Sequence, residues 1–298
     1  MEPNVTRVSG ALPAFLVRLR SVAARLRALD PLSMVALLIL CILVSAGLFA
    51  RYLPIGEPNY IGAGPRLSPP TLALPLGTDE LGRSFLPRIV HGIRTTFVLS
   101  ASAVLVTAVL GSIIGMIAGY LGGIADRLIA RGADVLFSFP AIVLGLLVAA
   151  IIGPGFLPTV LVVSFATLPL FVRVIRAVAM SVARREFVIC AEVAGASVAR
   201  VLFIHILPNI LGAIIVQLTY ALSIGMLIES GLSFLGLGTQ PPDASLGSLL
   251  RSGVVYIAVA PWMALSAGLV LSLSIACINL AGDGMRDVIE PLRVRSLQ

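Results

Sequence analysis

Apolar residues gather into six stretches, at residues 32–50, 95–120, 135–153, 156–172, 209–228 and 261–281. Each has close to the roughly 20 residues that cross about 30 Å of hydrocarbon as a helix. The third and fourth are separated by Gly153, Pro154 and Gly155, a tight turn. The pattern predicts an all-α membrane protein with six transmembrane helices and both termini on one side. The first stretch follows Asp30 and Pro31, the form of a helix start with proline at its first position. It lies behind 30 residues and has no small-residue cleavage site. It therefore reads as a retained anchor rather than a signal peptide.

The polar segments divide the rest. In residues 1–31, Phe15, Leu16, Leu19, Val22, Ala23, Leu26 and Leu29 recur at helical spacing, flanked by Arg18 and Arg25 on one side and Arg20 and Arg27 on the other. That tail is either a helix lying in the membrane interface or a basic extension without structure. Residues 51–94 open with six prolines before residue 76, which favours an extended extracytoplasmic loop. Within it Asp79 is placed to cap a short helix; Arg83, Arg88, His91 and Arg94 suggest an interfacial one that Pro87 would interrupt. Residues 95–281 hold five spans and a polar segment at 173–208, and residues 282–298 form a second tail.

Composition and charge sharpen this picture. Hydrophobic residues make up 58% of the chain and charged ones 12%, with a mean hydropathy of +1.07, which excludes a soluble domain of this length. All 21 basic residues are arginine. Without lysine the chain cannot build a Walker A phosphate loop, so it is not expected to be an ATPase itself. Fifteen arginines fall on the side of the termini, against Arg51, Arg66, Arg83, Arg88, Arg94 and Arg251 on the other. The positive-inside rule then places both termini in the cytoplasm. Cysteines introduced at Ser68 and Ser245 are expected to face outward, and one at Ser197 inward. The arginines flank apolar spans instead of forming one basic face, which argues against nucleic acid despite the net charge of +7.

Candidate chemistry is sparse. Cys41 and Cys277 read as small buried hydrophobes, and Cys190 as a cytoplasmic loop residue; no disulfide or metal spacing is present. His91 and His205 are too far apart for a metal site. The middles of the spans contain no Asp, Glu, Lys, Arg or His, with Glu229 at the outer end of the fifth. Proton-coupled carriers need ionisable relays at that depth, so energy must come from outside the chain. A passive channel is the alternative of a different class, but no pore-lining ring is visible.

The segment 186–209 is the most informative. Phe187, Cys190, Ala191, Ala194 and Val198 share a helical face, with Glu186, Glu192 and Arg200 away from it. Gly195 permits a close approach or a change of direction, and Pro208-Asn209 punctuates the entry to the fifth span. An ordinary interfacial helix is one reading. The pattern of Gly195, His205, Leu207 and Pro208 resembles the "EAA" loop of ABC importer permeases, although Ile189, Cys190 and Ala191 stand where that motif has Glu-Ala-Ala. Further stretches are similar to the C-type permeases of dipeptide and oligopeptide (peptide/nickel) importers: Pro75 to Arg83, Gly119 to Gly123 with Asp126, Arg131 and Asp134, Glu229 to Pro242, and Asn279 to Asp287 with Glu290-Pro291.

The resemblance implies a type I ABC importer permease fold in a bacterial plasma membrane, carrying di- or oligopeptides or similar solutes. It implies a second related permease, two ATPases that hold the ATP and magnesium, an extracytoplasmic solute-binding protein, and surrounding lipid. No cofactor is expected on this chain. Glu186, Ala191, Gly195, Ser197, His205, Leu207 and Pro208 would engage an ATPase. His91 would meet lipid headgroups. Gln217, Thr219, Ser223 and Asn279 are candidates for the passage.

Overall fold

The computed structural model describes residues 30–289, so the expected interfacial helix of the N-terminal tail and the last nine residues lie outside it. Helices α1 (Pro31–Leu48), α2 (Phe85–Leu121), α3 (Gly123–Phe137), α4 (Ala141–Ile152), α5 (Phe156–Ala183), α6 (Glu186–Val193), α7 (Val198–Phe234), α8 (Leu246–Val255) and α9 (Pro261–Ile289) account for nearly all regular structure among the described residues. Beyond them stand a 3-10 turn at Ala50–Tyr52 and one isolated bridge between Thr78 and Ser84. Helices α1, α2, α5, α7 and α9 are each long and apolar enough to cross a membrane; the bent pair α3–α4 makes a sixth crossing when counted as one span.

That pair departs from the expected straight span at 135–153. The helices meet at 83° around Ser138, Phe139 and Pro140. Proline disfavours helical geometry in the residue before it, and Ser138 Oγ turns back to the Asp134 carbonyl at 2.8 Å, closing α3. Residues 135–137 therefore end the amphipathic α3 rather than begin a span. At Pro87 the outcome is the reverse. It lies in the first turn of α2, where its missing N–H costs no helical bond, and α2 runs uninterrupted for 37 residues. At 1.5 Å per residue that is about 55 Å, more than the hydrocarbon needs.

The core is built on the pairing of α2 with α5. Ala103, Thr107, Gly111, Gly115 and Gly119 recur every four residues along α2, forming one stripe of small side chains. A Cβ on Gly111 would lie 2.7 Å from Phe171 Cδ1, on Gly115 2.9 Å from Ile175 Cβ, and on Gly119 2.6 Å from the Arg176 carbonyl. In lipid, where apolar surface gains little by leaving solvent, such close backbone approach and interhelical hydrogen bonds hold helices together. Both are present: Thr107 Oγ1 lies 2.9 Å from Thr167 Oγ1, and Ser164 Oγ donates to the Ala103 carbonyl at 3.0 Å. Outward-facing apolar side chains elsewhere on the spans are left for lipid or partners. Cys41 is one of them, exposed rather than buried as expected, whereas Cys277 is buried.

A second core joins α2, α8 and α9 at the other end of the bundle, with Phe85, Ile89, Leu246, Leu249 and Met263 at its centre. Ser245 caps α8 with a reciprocal bond to Ser248 and is fully buried, so it is not the accessible outer position expected for it.

Candidate functional site

The segment predicted to couple to a partner begins with α5 continuing to Ala183, eleven residues beyond the expected end of that span. A short break leads to α6, which starts at Glu186. Gly195 then turns the chain at φ +81°, and nothing lies within 4 Å of where its Cβ would be. Of the two roles open to it, the left-handed turn is the one present; close approach is not. Ser197 caps the next helix, its Oγ accepting from the Arg200 N–H at 3.4 Å.

From Val198 the helix runs through Pro208 to Phe234, so the proline does not end it. The sequence pays for continuity by widening one turn: residues Val201–Ile206 form a π-helix, and the Leu207 N–H bonds to the Leu202 carbonyl five residues back. Proline removes one helical N–H and crowds the carbonyl four residues before it, and a π turn relieves both. His205 lies half-buried in this turn, its carbonyl accepting from Asn209 Nδ2 at 2.7 Å.

The expected apolar face of α6 is not packed inside the chain. Val188 is the anchor; it joins Val201, Leu202, Ile206 and Ile210 in one cluster with Phe171, Ile175, Ala179 and Val182 of α5. Phe187, Cys190, Ala194 and Val198 are exposed and Ala191 is half-buried, with Ile189, Val193, Phe203 and Ile204 also open. Glu186, Ser197 and Pro208 are exposed, and Leu207 is half-buried. The arrangement is a ledge of apolar side chains clamped to α5 from beneath. Nearby, Arg176 grips Asp126 through both nitrogens, with Nη2 2.7 Å from Oδ2, and Arg173 reaches Asp134 at 2.9 Å. These pairs fasten α3 to α5 beside the ledge.

The four passage candidates lie on α7 and α9. Gln217 and Ser223 are buried inside the chain, and Thr219 and Asn279 are half-buried. Gly282 of α9 packs directly on Thr219. Further along this seam, Tyr220 OH donates to the Asp283 carboxylate. In this conformation Gln217 and Ser223 reach no open surface.

Two acids named from the sequence are buried in the structure, which the sequence did not indicate. Asp79 does not cap a helix. Its Oδ1 accepts from the N–H groups of Leu81 and Arg83, each at 2.9 Å, and its Oδ2 takes Arg83 Nε at 2.6 Å with Arg88 Nε at 3.4 Å. It thereby folds the end of the first loop onto α2. Glu229 is fully buried near the end of α7, accepting from Ser233 Oγ at 2.7 Å and Ser230 Oγ at 3.1 Å. The hydroxyls of Ser245 and of Thr96 on α2 lie near it. The serines at one and four residues from Glu229 were the available signal; the contributions from α2 and Ser245 are tertiary.

A family model described as "Binding-protein-dependent transport system inner membrane component" matches residues 111–295. The di/tripeptide transport system permease protein DppC of Pseudomonas aeruginosa is 36% identical over 261 residues, covering 86% of each chain. The glutathione transport system permease protein GsiD of Pectobacterium atrosepticum is 35% identical, covering 85% of each. The dipeptide permease DppC of Haemophilus influenzae is 33% identical, covering 87% of this chain and 90% of its own. Among solved structures, an inward-facing MetNI methionine ABC transporter superposes with a TM-score of 0.56 at 17% identity, over 67% of this chain and 95% of that one. The helical bundle and its spans thus have the type I importer permease fold, and this chain belongs to the family of inner membrane components of binding-protein-dependent transport systems.

Proposed function

We propose that the chain is one of two related permeases of an ATP-driven importer for di- or oligopeptides or similar small polar solutes. The α6 ledge receives a cytoplasmic ATPase, and both termini lie in the cytoplasm. One observation carries the coupling role: Phe187, Ile189 and Val193 of α6, with Val198 at the start of α7, are exposed apolar side chains around a short helix that Val188 anchors to α5. A short exposed apolar row on an otherwise anchored helix is what a docking partner needs to bury. Glu186, Ala191, Gly195, Ser197, His205, Leu207 and Pro208 form or frame that surface. Peptide as cargo rests on the relatives, whose names specify dipeptides, tripeptides and glutathione.

ATP and magnesium belong to the two partner ATPases, and an extracytoplasmic binding protein delivers the solute to the outer loops. Closure of the ATPase pair pulls on the ledge. Because α6 is clamped to α5 and the π turn is continuous with α7, that pull moves α5 and α7 together as a rigid body. The solute crosses between the two permeases. Gln217, Thr219, Ser223 and Asn279 contribute to the passage as the α7–α9 seam opens.

The test is uptake of labelled dipeptide into proteoliposomes holding this chain, its companion permease, the ATPases and loaded binding protein. ATP on the ATPase side is expected to drive concentrative uptake and to be required for it. Concentrative uptake by this chain alone would overturn the reading.

A further inference from the structure

Away from the ledge, a cleft of about 290 Å³ lies beside the first turns of α2, lined among others by Arg88, His91, Arg94, Val98, Phe156 and Asp243. Its wall is built. Arg88 has a side chain only 9% exposed, with Nη1 3.2 Å from Asn59 Oδ1 and a buried Nε that finds no hydrogen bond. The nearest carboxylate to that Nε, Asp79, is already engaged by Arg83 at 2.6 Å. Arg94 and His91 make no ion pair among the described residues. The lining therefore holds Arg94 and His91 without ion pairs among the described residues, and Arg88 sharing Asp79 with Arg83 at 3.4 Å, beside the one lining carboxylate, Asp243.

The cleft continues into an apolar track. At about 100° per residue, positions 91, 94, 98, 105 and 109 fall within roughly 60° on one face of α2. Below the arginine, Val98 is 40% exposed, Leu105 65% and Val109 53%. A cationic cleft at the head of such a stripe matches a ligand with an anionic head and a long apolar tail. The cleft is small for a peptide and has no lining from α7 or α9, the helices that carry the passage candidates.

We propose that the cleft holds the phosphodiester of an anionic phospholipid, with an acyl chain lying along Val98, Leu105 and Val109. Guanidinium groups meet phosphate oxygens through paired N–H donors, which gives Arg94 the phosphate, with the charge of the buried Arg88 behind it. Asp243 accepts a hydrogen bond from the headgroup. Phosphatidylglycerol satisfies both sides, since it carries one net negative charge and hydroxyl donors. Phosphatidylcholine carries neither a net charge nor a headgroup donor.

The experiment is native mass spectrometry of the full chain released from bilayers of mixed phosphatidylglycerol and phosphatidylcholine. Wild type is expected to retain phosphatidylglycerol preferentially. Arg94→Gln is expected to weaken retention about fivefold, the effect of one arginine near a lipid surface. Asp243→Asn is expected to erode the discrimination between the two headgroups, and Arg251→Gln, an exposed arginine outside the cleft, to change nothing. Equal retention in Arg94→Gln and wild type would overturn the proposal. An equal loss in Arg251→Gln would reduce it to general surface charge. Displacement of the lipid by the dipeptide Ala-Ala would make the cleft a cargo site instead. The readout is independent of transport, so a negative result here leaves the importer reading standing.

Discussion

Glu229 is a carboxylate buried at the end of α7, and among the described residues no arginine forms an ion pair with it. A buried acid is expensive to leave unpaired, and the hydrogen bonds from Ser230 and Ser233 are what make the site tolerable. Beside this acid, Thr96 Oγ1 accepts from the Leu246 N–H at 3.0 Å and ties α2 to α8. Glu229→Ala strands Ser230 and Ser233, at a cost of about 1–3 kcal/mol for each unsatisfied buried group. The expected result is a lower apparent Tm in detergent, followed through the fluorescence of Trp262. Glu229→Gln keeps an acceptor and should lower it less; equal losses would show that the bonds to the side chain are not what holds this corner. A conformational demand of a different kind falls on Gly195, at φ +81° with open space around it. Valine there is strained by its branched Cβ, whereas asparagine adopts left-handed geometry readily. Gly195→Val is expected to reduce ATPase pull-down and uptake strongly while the chain still inserts, and Gly195→Asn to retain most of both. Equal behaviour of the two variants would remove the backbone turn from the coupling argument.

At the scale of elements, the α2–α5 seam depends on the absence of side chains. Gly115→Leu would drive its branches into Ile175 and the Val172 carbonyl, where a Cβ alone is already at 2.9–3.0 Å. Overpacking of this kind costs about 1–3 kcal/mol in cores that can adjust, and backbone on one side of the contact leaves less room to adjust. The same change at Gly132, where nothing lies within 4 Å, meets no such obstacle. Gly115→Leu is therefore expected to give aggregated or poorly inserted protein by gel filtration, and Gly132→Leu a wild-type profile. Matching profiles would mean that α2 and α5 do not pack through this stripe. The four-residue spacing of Ala103, Thr107, Gly111, Gly115 and Gly119 is readable in the sequence, but its partner is not. Any span could face it, and only the fold selects α5.

For the whole molecule, orientation rests on the distribution of arginine. Thr71 and Gln240 are exposed on the side assigned outward, and Ser197 on the side assigned to the cytoplasm. Thr71→Cys and Gln240→Cys should react with an impermeant thiol reagent on intact cells, against a background in which the native cysteines are replaced. Ser197→Cys should react only after the membrane is opened. Labelling of Ser197→Cys in sealed cells would invert the topology and move the coupling ledge to the wrong side. The chain purified alone is also expected to hydrolyse no ATP, checked by phosphate release with and without the partner ATPases. Hydrolysis that tracks this chain through purification would contradict the absence of a lysine-based phosphate loop.

Hydrophobic run length determined the membrane class, because the cost of unpaired backbone in hydrocarbon admits few spanning structures besides the helix. Arginine placement and the spacing from Gly195 to Pro208 single out the segment proposed to couple to an ATPase, without reference to any contact. The sequence left the ends and breaks of helices open, since these depend on how neighbours absorb a local defect. Pro87 is harmless in a first turn, Pro140 bends a span by 83°, and Pro208 is accommodated by a π turn braced against α5. One residue type thus has three outcomes, decided by position in the helix and by what packs beside it. The outer cleft and the Glu229 knot were beyond reach for the same reason. Arg88 and Asp243, or Thr96 and Ser245, stand about 150 residues apart in the chain, and only the packing of α2 against the α7–α8 corner brings them together.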